Sequence, residues 1–420
     1  MTADIGTTEA FRDAFPTWRD LRAHVAAVAR YPEYNEDRAL HQILMADITT
    51  RLSTQGEWLL LGSLSLPARV PVNLPVPGDL RVEGVSDIDQ AYLLPRTAFD
   101  LDLYAAGVAR QLDTGDTGVG YGAGVRAALA AVTAPAGRPA AESGRGLHGL
   151  VAYLPGNLRQ HDNGQVMGTI IAQPIDPRYS TGSLHPVDDP ITIEIDIKPP
   201  SKISFPGEPE ASTRPITALT LPGFHPVQPR LYPVADQLGD KLCLLAGPPV
   251  SLRNAPAGPW HRYKDLVDSY FLIRTTPMVA AEVRRSLETN WNLRRLDPPV
   301  LPHPYRVYGQ APVPAGEPEI PWREGCANLV KSNPQLVRYP GFEAMVADVG
   351  RFVDTVPDTP GAVWNPERGW QSSRGLGAAA RAFPQPMRKV MGAPTAATPE
   401  DSRSTRPQQQ RNPGWESPSR

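Results

Sequence analysis

The stretch "RTAFDLDLY", Arg96 to Tyr104, decides how the chain is read. Phe99, Leu101 and Leu103 alternate there with Asp100 and Asp102. A strand turns successive side chains to opposite faces, so both carboxylates share one face and the apolar residues share the other. Like charges at that spacing repel, and the pattern needs a reason. A second D-x-D, Asp87 and Asp89 in "SDID", lies just upstream, and only one of the two pairs is expected to carry chemistry.

Further strands flank this one. "EWLLLGS" (57–63) is a short apolar strand that ends at the turn signal Gly62-Ser63. "GLVAYLPG" (149–156), "VMGTIIAQPI" (166–175) and "ITIEIDIKP" (191–199) follow as a series. The last alternates most cleanly: Ile191, Ile193, Ile195 and Ile197 share one face, while Thr192, Glu194, Asp196 and Lys198 share the other. Helical spacing marks residues 10–55, then "AAGVARQL" (105–112) and "GVRAALAAV" (124–132). It returns in "VADQLGDKLCLLAG" (234–247), "HRYKDLVDSYFLI" (261–273), "AAEVRRSLE" (280–288) and "YPGFEAMVADVGRFVDTV" (339–356). Helices, then strands, then helices predict an α+β fold. The expected division is a domain over 1–200, with N-terminal helices and a mixed sheet, and a helical domain over 201–370. Residues 371–420 turn to Pro, Ser, Gln and Arg and are expected to form a disordered tail.

Composition narrows the function. At 420 residues with 41% hydrophobic content the chain can build real cores, while 48 prolines and 35 glycines point to much loop. A formal net charge of −2 gives no global attraction to nucleic acid or membrane, though a local basic groove stays open. Cys243 and Cys326 are far apart and read as buried thiols, not as a disulfide or zinc framework. The polar start "MTADIGTTEAFRDAF" lacks a signal pattern, and no apolar run approaches the roughly 20 residues of a membrane span. A cytoplasmic protein is expected. No G-x-S-x-G, P-loop or H-E-x-x-H motif occurs, and the histidines form no ligand-like cluster, with His261 and His303 read as surface residues.

The residues left to carry chemistry are few. Asp100, Asp102 and Asp196 suit a hard divalent cation if their strands adjoin, since Mg²⁺ takes carboxylate oxygens and is completed by water and phosphate; otherwise they are a solvated sheet face. Gly62-Ser63 suits an anion-holding turn, or is an ordinary turn. At about 100° per residue, Lys241 falls inside the apolar stripe of Val234, Leu238, Leu242 and Leu245, whereas Asp236 and Asp240 fall outside it. A lysine pointing inward either snorkels out or meets an anion. Asp265 lies nearly opposite the apolar face of its helix and reads as solvated, with a pairing to Lys241 left open. In "EVRRSLETNWNLRRL" (282–296), Arg284, Arg285, Arg294 and Arg295 form either a phosphate track or a solvated helix face.

In this order, Gly62-Ser63, "RTAFDLDL", "ITIEIDI", "YPVADQLGDKLCLL", "HRYKDLVDSYFL" and the terminal "GAVWNPERGW" (361–370) together resemble the AbiEii/AbiGii toxin family of nucleotidyltransferases, which includes the MenT-type toxins. The resemblance runs from about residue 40 to about 370 and is strongest in "ADQLGDKLCLL" followed by "RYKDLVD". It implies a polymerase-β-type minimal nucleotidyltransferase core with a helical C-terminal half. It further implies that Gly62 and Ser63 hold a triphosphate with Arg96 and Lys241, and that Asp100 and Asp102 bind Mg²⁺. Asp196 would position or deprotonate the attacking hydroxyl, and Lys241 and Asp265 fall on the family's catalytic lysine and aspartate. The implied activity is Mg²⁺-dependent transfer of a nucleotide from an NTP to RNA, at a tRNA 3′ end, by a toxin with a cognate antitoxin protein. The alternatives are transfer to a small molecule or protein side chain, and a non-catalytic relative that binds nucleotide or a partner. The chain departs from the family in a longer gap between Gly62 and Asp100 and in a Gly-Ser where a glycine pair is usual.

Overall fold

Alternation in the sequence becomes one mixed sheet. The structure, a computed structural model, describes residues 6–28, 36–69, 96, 98, 100–112, 118–133, 144–178, 184–203, 209–212, 215–217, 219–246, 263–293, 322–333, 336 and 338–372. In chain order its elements begin with β1 (Gly6–Thr7), α1 (Glu9–Ala14), α2 (Trp18–Val28), α3 (Glu36–Gln55), β2 (Leu59–Leu60) and β3 (Asp100–Tyr104). There follow α4 (Ala106–Gln111), α5 (Val119–Val132), β4 (Arg145–Gly146), β5 (Val151–Pro155), β6 (Arg159–Gln160), β7 (Val166–Pro174) and β8 (Ile191–Ile197). The short strands β9 (Glu210–Ala211), β10 (Phe224–His225) and β11 (Arg230–Leu231) lead into α6 (Val234–Ala246), α7 (Tyr263–Thr275), β12 (Met278–Val279) and α8 (Ala280–Leu293). The last are α9 (Trp322–Ser332), α10 (Phe342–Asp354), β13 (Val363–Asn365) and β14 (Gly369–Gln371).

The main sheet runs β4-β5-β7-β8-β3-β2-β11-β9, with β6 beside β7. Parallel pairings join β3 to β8 and β2 to β11, and the remaining neighbours are antiparallel. Leu101, Leu103, Ile193, Ile195 and Ile197 are buried on one face, in one apolar cluster with residues of α3 and α5. The polar residues between them are left on the other face. The fold is therefore α+β with a mixed sheet, and the helices of its C-terminal half form a core of their own.

Two apolar clusters change over between Tyr232 and Val234 along the chain, with Leu66 reaching into the second. By their contacts, the described residues all belong to one compact unit. In the second cluster the hairpin β13–β14 closes over α7: Trp364 Nε1 donates to Ile273 O at 2.7 Å, and Phe352 meets Trp364 edge-to-face and Trp370 at a tilt.

Several expectations change here. Asp236, expected outside the apolar stripe of α6, is fully buried because α8 covers that side of the helix, and Arg285 Nη2 meets its Oδ2 at 3.2 Å. Burial first, opposed by Arg285, moves the Asp236 carboxyl up to about 6. Arg284 is likewise committed within the fold, to Asp358 at 2.6 Å and to Val356 O at 3.0 Å. Both guanidinium groups thus have acidic partners within the protein itself. Gln371, placed in the tail by composition, belongs to β14. Cys243 and Cys326 are buried thiols, as expected. Asp87, Asp89, His261, Arg294, Arg295, His303 and residues 373–420 lie outside the described residues. No described helix is long and apolar enough to cross a membrane.

Candidate active site

The open face of the sheet collects the acids. Parallel pairing of β3 with β8 sets Asp100 beside Glu194 and Asp102 beside Asp196. The strands do adjoin, which the local pattern alone left open. Next to them the chain leaves β2 through Gly62, whose φ of 59° and ψ of −160° suit glycine alone. A Cβ there would lie 1.9 Å from Asp102 Oδ2, so the absence of a side chain lets the turn press against the carboxylate. Leu61 N donates to Asp102 O at 2.9 Å and ties the turn to β3. Gly62→Ala is expected to cost about 1–3 kcal/mol of stability through the strained backbone alone. An unchanged denaturation midpoint would show that the turn is not constrained in this way.

Lys198, one residue beyond β8, answers how the carboxylates are tolerated. Its Nζ donates to Asp196 Oδ2 and lies 4.0 Å from Asp102 Oδ1. The other oxygen of Asp196 accepts from Gln165 Nε2 at 2.7 Å, and Lys202 Nζ braces Gln165 Oε1 at 2.6 Å. Burial pushes the Asp102 carboxyl up to about 7, Lys198 opposes that shift, and the nearby charges of Asp100 and Asp196 add to it.

A second cluster lies across the Gly62–Ser63 peptide. Its centre is Asp268 on α7, which is 1% exposed. Ser63 Oγ donates to Asp268 Oδ2 at 2.7 Å, and Arg96 reaches both oxygens, Nε to Oδ1 at 3.0 Å and Nη2 to Oδ2 at 3.1 Å. Arg96 Nη2 also donates to Ser63 Oγ. Lys241 Nζ, from α6, meets Asp268 Oδ2 at 2.8 Å and Asp265 Oδ1 at 3.2 Å. Burial opposes charge at both ends of this pair. Arg96 and Lys241 nevertheless hold the Asp268 carboxyl at about 2, and Asp268 with Asp265 keeps Lys241 above its ordinary value. The lysine does point inward, and the anions it meets are the protein's own.

The eight residues singled out by sequence thus fall into two adjoining groups. Gly62, Asp100, Asp102 and Asp196 gather at the sheet; Ser63, Arg96, Lys241 and Asp265 gather around Asp268. Sequence reasoning missed Asp268, Lys198, Gln165 and Gln237. Gln237 Nε2 donates to Gly62 O at 2.7 Å and its Oε1 accepts from Ser65 Oγ at 3.0 Å, so it fixes the turn that joins the groups. Lys198 was visible on the polar face of its strand, two residues after Asp196. Asp268 gave a weaker signal, because α7 is buried continuously from Leu266 to Ile273 and a helical wheel does not set such an acid apart.

Chemically, the sheet group offers hard oxygen donors. Among the described residues no three acidic, histidine or cysteine side chains converge on one metal position. Asp100 and Asp102 remain side by side on one strand face, and a pair of carboxylates completed by water and phosphate is the usual protein contribution to a Mg²⁺ site. Lys198 is the cation nearest Asp102 and Asp196, and the charges of Lys241 and Arg96 also reach Asp102 and Asp100. The adjacent carboxylates Asp100 and Asp102 are oxygen donors of the kind Mg²⁺ takes.

No family model matches the chain, and no curated protein matches it. Among solved structures, the chain is similar to MenT4, a nucleotidyltransferase toxin from Mycobacterium tuberculosis H37Rv, at 15% identity and a TM-score of 0.38, over 80% of this chain and 97% of that one.

Proposed function

We propose that this protein is a Mg²⁺-dependent nucleotidyltransferase that moves a nucleotide from an NTP to RNA. The observation that carries the reading is the register of Asp102 beside Asp196, with the Gly62-Ser63 turn pressed against Asp102. It brings two metal-type carboxylates, a base-type carboxylate and an anion-type turn to one place. The family resemblance of the same residues supports it.

In this reading Asp100 and Asp102 would hold the ion, which when bound offsets phosphate charge and makes the acceptor hydroxyl more acidic. Asp196 would orient that hydroxyl and take its proton. Ser63, Arg96 and Lys241 would hold the triphosphate, and Asp265 would keep the Lys241 ammonium in place. Much of the catalysis is then positioning and charge compensation. The acceptor we infer is a tRNA 3′ end, and the biological role that of a toxin neutralised by a cognate antitoxin protein.

The test is incubation with each labelled NTP, Mg²⁺ and total RNA, with Asp100→Ala as control. One nucleotide is expected to appear on tRNA with the wild type, and none with the variant. Label on protein or on a small molecule would replace the acceptor. No label on anything, with the folded wild type and every NTP, would reject the transferase reading.

A further inference from the structure

Lys198 is held in a way that an ordinary surface ion pair does not require. Its backbone is pinned on both sides: Lys198 N donates to Leu103 O at 2.9 Å, and Tyr121 OH donates to Lys198 O at 2.8 Å. Pro199-Pro200 follows directly and restricts the chain further. The side chain has none of that restraint. It is 31% exposed, carries a flexible four-carbon stem, and ends between Asp196 and Asp102. Asp196 also accepts from Gln165 Nε2, through the oxygen that Lys198 does not use.

We propose that Lys198 is a tethered stand-in for the divalent cation. Without nucleotide its ammonium neutralises Asp102 and Asp196, and it swings onto the phosphates when an ion arrives with a triphosphate. This rests on the proposed transferase reading and adds a regulation to it: the ion binds weakly alone and well only with the nucleotide. Two consequences follow from charge alone. The ammonium competes with a divalent cation for Asp102, and a polyanion relieves that competition by offering the ammonium another partner.

The experiment is Mn²⁺ binding, followed by calorimetry and by the Mn²⁺ spin-resonance signal, in wild type, Lys198→Met and Lys198→Arg. Without nucleotide, Lys198→Met is expected to bind Mn²⁺ about tenfold or more tighter than wild type, and Lys198→Arg to stay weak. Adding an NTP should raise Mn²⁺ affinity in the wild type and much less in Lys198→Met, with the reciprocal effect on NTP affinity. Millimolar Mg²⁺ should raise the melting temperature of Lys198→Met and leave that of the wild type nearly unchanged. If Lys198→Met does not fold, Lys198→Gln replaces it in the same measurements. Equal Mn²⁺ affinity in the wild type and the neutral variant overturns the proposal, because the lysine would then be a plain structural pair. Tighter Mn²⁺ binding in the variant with no nucleotide transfer by the wild type would uphold the tether and reject the transferase reading. No Mn²⁺ binding by either protein, with or without NTP, would reject both.

Discussion

Asp268→Ala is expected to lower the unfolding free energy by about 3–5 kcal/mol, because it strands the buried Arg96 guanidinium and leaves Lys241 with Asp265 alone. Arg96 and Lys241 share Asp268, and both side chains are nearly covered. Ser63 Oγ loses its acceptor at the same time. Asp265→Ala should cost less, since Lys241 keeps Asp268. Urea denaturation of the two variants makes the comparison, and a loss below about 1 kcal/mol for Asp268→Ala would remove it from the centre of the network. The pH dependence has a definite sign. The folded carboxyl lies at about 2, below its ordinary value of 3.8, so its stabilising contribution is present above that ordinary value. It is lost as pH falls through the interval from about 4 to about 2, and Asp268→Ala should lack that component of acid denaturation.

Asp102→Asn is expected to reduce nucleotide transfer by about a thousandfold while leaving the fold as stable as the wild type or more so. The two halves of this expectation have one cause. Asp102 shares the sheet face with Asp100 and Asp196, and Lys198 is the cation nearest to Asp102 and Asp196. Removing one charge relieves repulsion and at the same time removes an oxygen donor. A purely structural carboxylate would behave in the opposite way, losing stability with little effect on transfer. Asp87→Ala should retain full activity, and loss of transfer in that variant with normal activity in Asp102→Asn would reassign the metal pair. Initial rates at saturating NTP, beside a denaturation midpoint for each variant, are sufficient to decide.

What the sequence determined by itself is local and periodic. A period of two over 191–197 separates isoleucines from acids, and the observed strand buries Ile193, Ile195 and Ile197 while leaving Glu194 exposed. The same rule sets Asp100 and Asp102 on one face of β3, and the 3.6-residue stripe of α6 turns Lys241 inward. Such patterns depend only on backbone geometry, so they survive without knowledge of any partner. Tertiary structure decided what each polar group meets. That Asp102 lies beside Asp196 depends on which strands pair across nearly a hundred residues. Asp268 outranks Asp265 because α6 and the Ser63 turn approach the same side of α7, and Asp236 is buried because α8 closes over α6. Lys198 was legible as a polar residue on a polar face, but its place between two carboxylates comes from the β3–β8 register. A charge is stabilised by whatever stands within a few ångströms of it, and the long-range fold chooses those neighbours.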